Sequence, residues 1–75
     1  MMKGDAIMSE AQKFGVGDIA LLVSSNNEWR VKIVLPIQDE DDTWWYEVEC
    51  VDPDVSENIR RNFHREVPQT SLKAI

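Results

Sequence analysis

The sequence predicts a mainly β domain of five short strands, with a short helical turn before the last of them. Three observations predict it. Two stretches rich in β-branched and aromatic residues, Trp29 to Ile37 and Trp44 to Val51, alternate with period two on either side of an acidic tip at 38–43. Further short apolar runs are bounded by turn signals, Gly15-Val16-Gly17-Asp18 before one and Asp52-Pro53-Asp54 after another. The size fits one small core, because a chain this short buries only about 60% of its unfolded surface. A hydrophobic content of 43% with 29% charged residues places it among globular rather than disordered chains. That leaves no room for a deep catalytic cleft.

Taken in order, residues 1–13 read as a flexible leader and 14–75 as the domain. Met8-Ser9-Glu10-Ala11 looks like a natural start, the first seven residues being an upstream extension. A helix over Ser9 to Phe14 would be below the length at which helices stand alone. Ile19 to Ser24 is the first strand, with Ile19, Leu21 and Val23 suited to the core and Ala20 and Leu22 making the other face apolar as well. Ser25-Asn26-Asn27-Glu28 is a polar turn into the central hairpin. Folding that hairpin about its tip sets Ile37 against Trp44, Leu35 against Tyr46, Ile33 against Val48 and Lys32 against Glu49. Such cross-strand pairs contribute roughly 0.2–1 kcal/mol each, and a slip of one residue reverses every face. After Asp52-Pro53-Asp54 two readings stand. Asp54 and Glu57 have capping-box spacing, and Val55, Ile59 and Phe63 lie four apart, as in a helix. The rival is a long loop into a strand, Phe63 to Val67; a helical turn or loop followed by that strand is preferred. Pro68 to Leu72 suits one 3₁₀ turn, and Lys73-Ala74-Ile75 closes the chain as a last strand.

The formal charge is −6 and it is unevenly placed. Asp39, Glu40, Asp41, Asp42, Glu47, Glu49, Asp52, Asp54 and Glu57 follow one another with no basic residue between them, whereas Arg60, Arg61, Arg65 and Lys73 dominate the tail. An acidic chain repels phosphate backbones, so direct nucleic-acid binding is disfavoured. The same segregation would steer a cationic partner to one side, or simply keep a small domain solvated. The lone cysteine, Cys50, forms no internal disulfide, and neither a signal peptide nor a membrane-length apolar run is legible. A cytoplasmic setting without membrane contact is expected.

The order of turn-rich connections, five strands and a single-turn helix resembles the SH3-like small β-barrel and, within it, the Tudor family. The residues that carry the likeness are Val16-Gly17-Asp18, Trp29-Arg30-Val31, Tyr46-Glu47-Val48-Glu49-Cys50-Val51-Asp52, and the tail from Val67 to Ile75. The resemblance implies a five-stranded Tudor-like barrel that binds a basic or methylated protein segment. Its aromatic cage would use cation–π attraction of about 0.5–2 kcal/mol per contact. Trp29, Trp44, Tyr46 and Phe63 are the candidates for that cage, and core or rim packing is the rival role for Trp29, Trp44 and Tyr46. Where the family carries an aromatic residue and glycine after strand three, this chain has Pro53-Asp54.

Trp45 has the opposite parity from the core residues and points outward beside Glu47 and near Val34 and Leu22, the composition of an interface hot spot. A cover by the leader or by residues 53–62 is the rival reading, and a homodimer through Leu22, Val34 and Trp45 is a third. Chemistry is hard to assemble. Counting from Asp39, an EF-hand loop would need glycine where Trp44 stands and a carboxylate where Cys50 stands. With one histidine, His64, and one cysteine, no zinc set forms within a chain. No glycine-rich phosphate loop occurs, and no cofactor is implied. The expectation is a non-enzymatic interaction module, with Trp29, Trp44, Trp45, Tyr46, Glu47, Glu49 and Phe63 as binding residues and a basic protein as partner. The alternative is an acidic inhibitor or nucleic-acid mimic, of the sort a phage would carry, that blocks a basic host nucleic-acid enzyme.

Overall fold

Five antiparallel strands build one sheet in the computed structural model, which describes residues 11–75. In chain order these are β1 (Ile19–Val23), β2 (Glu28–Gln38), β3 (Trp44–Cys50), helix α1 (Glu57–Asn62), β4 (His64–Pro68), a 3₁₀ turn (Gln69–Ser71) and β5 (Leu72–Ala74). The strand order across the sheet is β4-β3-β2-β1-β5. The chain's last two strands are thus the two edges, joined only by Gln69–Ser71. Flat, five strands would hold their edges about 19 Å apart. A 3₁₀ connection of this length spans only about 8 Å, so the sheet curls until its edges approach at that corner. The ladder itself is not closed, because β4 and β5 do not pair.

The concave face holds the core: Ala20, Val31, Ile33, Tyr46, Val48, Cys50, Val67 and Leu72, with Phe14, Val55 and Phe63 packed from the loops. Alternation on β3 places Tyr46, Val48 and Cys50 inward as expected. On β1 the expected parity is reversed. Ala20 is fully buried, opposite Val31 and Ala74, whereas Ile19 and Val23 are exposed. All five residues of β1 are apolar, so alternation offered no polar member to tell the faces apart.

The central hairpin follows the expected register for Lys32 with Glu49 and Ile33 with Val48. A bulge at Val34 then shifts it by one residue, pairing Leu35 with Glu47, Pro36 with Tyr46, Ile37 with Trp45 and Gln38 with Trp44. Proline has no N–H for the ladder and is tolerated inside a sheet mainly at bulges and edges, which accounts for the irregularity beside Pro36. The shift turns Leu35 and Ile37 outward, and Leu35 is half exposed.

Of the two readings for 53–62, a short helix is observed. Its cap is Ser56, whose Oγ accepts from the Ile59 N–H at 3.4 Å, and not Asp54. Asp52 is the buried anchor of this loop: Oδ2 accepts from Arg30 N–H at 2.9 Å and Oδ1 from Asp54 N–H at 2.9 Å. These two donors hold its carboxyl below the usual aspartate range. Val55 and Phe63 are buried, but Ile59 faces solvent.

Most of the flexible leader expected over 1–13 lies outside the described residues, while of the helix expected over Ser9 to Phe14, Ala11 to Phe14 are described and are not helical. They are tied down by Gln69, which accepts from Lys13 N–H at 3.0 Å and donates to Ala11 C=O at 2.9 Å. The Tyr46 hydroxyl joins the same junction, contacting Gln69 Oε1 and accepting from Phe14 N–H at 3.3 Å.

Candidate functional site

Residues in register on neighbouring strands share a face of the sheet. The convex side of β2, β3 and β4 therefore carries three rows: Ile37, Trp45 and Pro68; Leu35, Glu47 and Glu66; Lys32, Glu49 and His64. Ile37 and Trp45 are both half-buried. They are neighbours only because of the bulge, since the expected register would have put Ile37 beside Trp44. Ile37, Asp39, Trp45 and Glu66 line a cleft of about 240 Å³. A second cleft, about 210 Å³, shares Asp39 and Trp45 and adds Asp41, Thr43, Trp44, Pro68, Gln69 and Thr70. One indole thus serves two adjoining depressions, and both are rimmed by carboxylates, with no basic residue among the described residues of either lining.

The hairpin tip positions those carboxylates. Asp39 N–H donates to Thr43 C=O at 2.8 Å and Asp42 N–H to Asp39 C=O at 3.0 Å, closing a tight loop in which Asp42 takes a left-handed φ of 66°. Asp41 accepts from the Thr43 hydroxyl at 2.6 Å and from Thr43 N–H at 3.2 Å, which lowers its pKa from the ordinary value. Across the sheet, Glu47 lies directly opposite Glu66. Like charges so placed are destabilising. His64 Nδ1 lies 3.6 Å from a Glu47 carboxylate oxygen. Among the described residues, neither the Glu66 carboxylate nor the Trp45 indole N–H has a hydrogen-bond or ion-pair partner.

The other expected site residues are dispersed. Trp44 is half-buried and stacked on Tyr46 at 6.5 Å between ring centroids, while Tyr46 is fully buried. Trp29 meets the buried Phe63 edge to face at 5.4 Å. Gln38, the partner of Trp44, lies nine positions along β2 from Trp29, which is about 30 Å of extended strand. These two aromatic pairs lie at opposite ends of the hairpin and do not surround one cation. Trp29 and Phe63 share a smaller cleft of about 130 Å³ with Leu22, Ser24, Asn27 and Arg65, and the Arg65 guanidinium stands 5.0 Å from the Phe63 ring centre. Leu22 packs against the core, on the opposite face from Trp45. The surface imagined for a homodimer through Leu22, Val34 and Trp45 is therefore split.

Reading the chain alone missed Ile37, Asp39, Asp41 and Glu66 as lining residues. Their signal was present in part: an acidic tip closing a hairpin directly before Trp44-Trp45 must fold back near those rings. The acidic run from Asp39 to Glu57 is also not one continuous strip. Asp52 is spent inside the loop, and Glu57 pairs with Arg61 at 2.6 Å. Among the described residues, no group of three or more His, Cys, Asp or Glu is arranged to hold a metal ion, and no helix is long and apolar enough to cross a membrane. No protein-family model, curated protein or solved structure matches the chain.

Proposed function

We propose that this chain is a non-enzymatic interaction module that binds a basic segment of another protein through the convex face of β2, β3 and β4. One observation carries the reading: a half-buried indole, Trp45, is bracketed by carboxylates that have no cationic partner among the described residues of the clefts. Burying part of an aromatic ring beside charged groups is how interfaces build their few strong contacts. The opposition of Glu47 and Glu66 costs the free domain stability, and an incoming cation removes that cost. We propose further that the curled sheet is an SH3-like barrel of the Tudor kind, supported by the edge strands' meeting at Gln69–Ser71. A cytoplasmic setting belongs to the same reading.

The test is an NMR titration with arginine- and lysine-containing peptides, unmodified and methylated. The Trp45 indole signal and the backbone signals of Ile37 and Glu66 are expected to shift, while Trp29 stays still. If no tryptophan side-chain signal moves with any peptide, the reading is wrong. Movement of Trp29 alone would place binding at the Phe63 end instead.

A further inference from the structure

The two ends of the hairpin treat cations differently. At the Trp29 end the chain supplies its own guanidinium, Arg65 over Phe63 at 5.0 Å, and no acidic residue lines the cleft among the described residues. At the Trp45 end the aromatic wall is bracketed by Asp39 and Glu66, with Asp41 adjoining, and among the described residues no cation lines it. Resting on the interaction-module reading, we infer that the occupant of the Trp45 cleft is an unmethylated arginine side chain of the partner.

The argument is one of shape and donor count. A guanidinium is planar, weakly hydrated and carries five N–H donors in a fixed fork, so it lies against an aromatic ring while donating to carboxylates at its edges. The cleft presents those features together: the Trp45 ring as wall, Ile37 as apolar neighbour, and Asp39, just past the end of β2, and Glu66, in the middle of β4, as acceptors. A lysine ammonium is a strongly hydrated point charge and gains less from a flat ring. Methylation keeps the charge but replaces N–H donors and blocks bidentate hydrogen bonding, which weakens the contacts to the two carboxylates. A volume of about 240 Å³ suits one side chain and not a folded element.

Alternating Gly-Arg and Gly-Lys peptides of equal length and charge, with a dimethylarginine version of the first, test this by NMR-detected affinity. The arginine peptide is expected to bind about tenfold more tightly than the other two. Trp45→Ala should bring it down to the lysine level. So should the double variant Asp39→Asn/Glu66→Gln, which changes exposed groups and leaves the ring packing alone. Equal affinity for arginine and lysine overturns the inference while the interaction reading stands, as does a dimethylarginine peptide that binds as well as or better than arginine. A preference that survives in both variants places the selectivity elsewhere and overturns it too. Failure of every peptide to bind overturns the interaction reading and the inference with it.

Discussion

Tyr46 is a residue whose ring and hydroxyl answer to different parts of the chain. Its ring lies fully buried between Phe14, edge-on at 5.6 Å, and Trp44. Its hydroxyl meets the Gln69 side chain and accepts from Phe14 N–H and, at 3.2 Å, from Lys13 N–H. Removing only that oxygen leaves the ring packing intact and strips a buried donor of its partner. Tyr46→Phe should therefore destabilise the fold by about 1–3 kcal/mol, read as a lower urea midpoint at unchanged slope; a midpoint within error of wild type would mean that water satisfies the junction. The inward face of Tyr46 was legible from its parity with Val48. Its hydrogen bonds were not, because Gln69 lies 23 residues away and the 11–14 segment carries no local pattern. The same contrast holds for the site: Trp45 could be read as outward from alternation alone, whereas Glu66 reaches it only through the β3–β4 pairing.

At the level of elements, strand boundaries and the hairpin were readable because hydrophobic period and turn residues agree there. The bulge at Val34 was not, because one extra residue leaves no mark on alternation until the partner strand is known. Pro36 flanks it on one side, and on the other it is held from outside β2. The turn before β1 docks on Ile33, where Gly17 N–H donates to Ile33 C=O at 2.8 Å and Ile33 N–H to Asp18 C=O at 2.9 Å. Asp18 N–H closes back on Gly15 C=O at 3.0 Å, and Gly17 takes a φ of 89°, a left-handed conformation that glycine adopts without cost. The space where a Cβ would stand is open, so a side chain there meets no clash. Gly17→Ala should thus cost the backbone strain alone, about 1–2 kcal/mol, measured by urea unfolding. An unchanged midpoint would show that the turn relaxes to a negative φ, and that it does not pin β2 beside the bulge.

On the scale of the whole molecule, charge works against the fold that the core builds. Eight basic residues face fourteen acidic ones, and among the described residues the ion pairs of arginine and lysine are exposed: Arg61 with Glu57 has side chains 69% and 70% accessible, and Lys73 with Glu28 is 63% and 50% accessible. Exposed pairs of this kind contribute little, so their loss to screening is small. The repulsive side is larger in number and concentrated on the convex face, where Glu47 opposes Glu66 and Glu49 lies on the same strand face two residues along. Sodium chloride shortens the screening length from about 30 Å at 0.01 M to about 10 Å at 0.1 M, which weakens that mutual repulsion. Stability of the free domain is therefore expected to rise with salt over this range, by about 0.5–1 kcal/mol, and urea unfolding at the two ionic strengths measures it. Binding of an arginine peptide should move the other way and weaken with salt, because there the screened interaction is attractive. A free domain that loses stability as salt is added would mean that attraction among its own charges outweighs repulsion. The carboxylates around Trp45, which have no cationic partner among the described residues, would then have no surplus charge to offer a cationic partner.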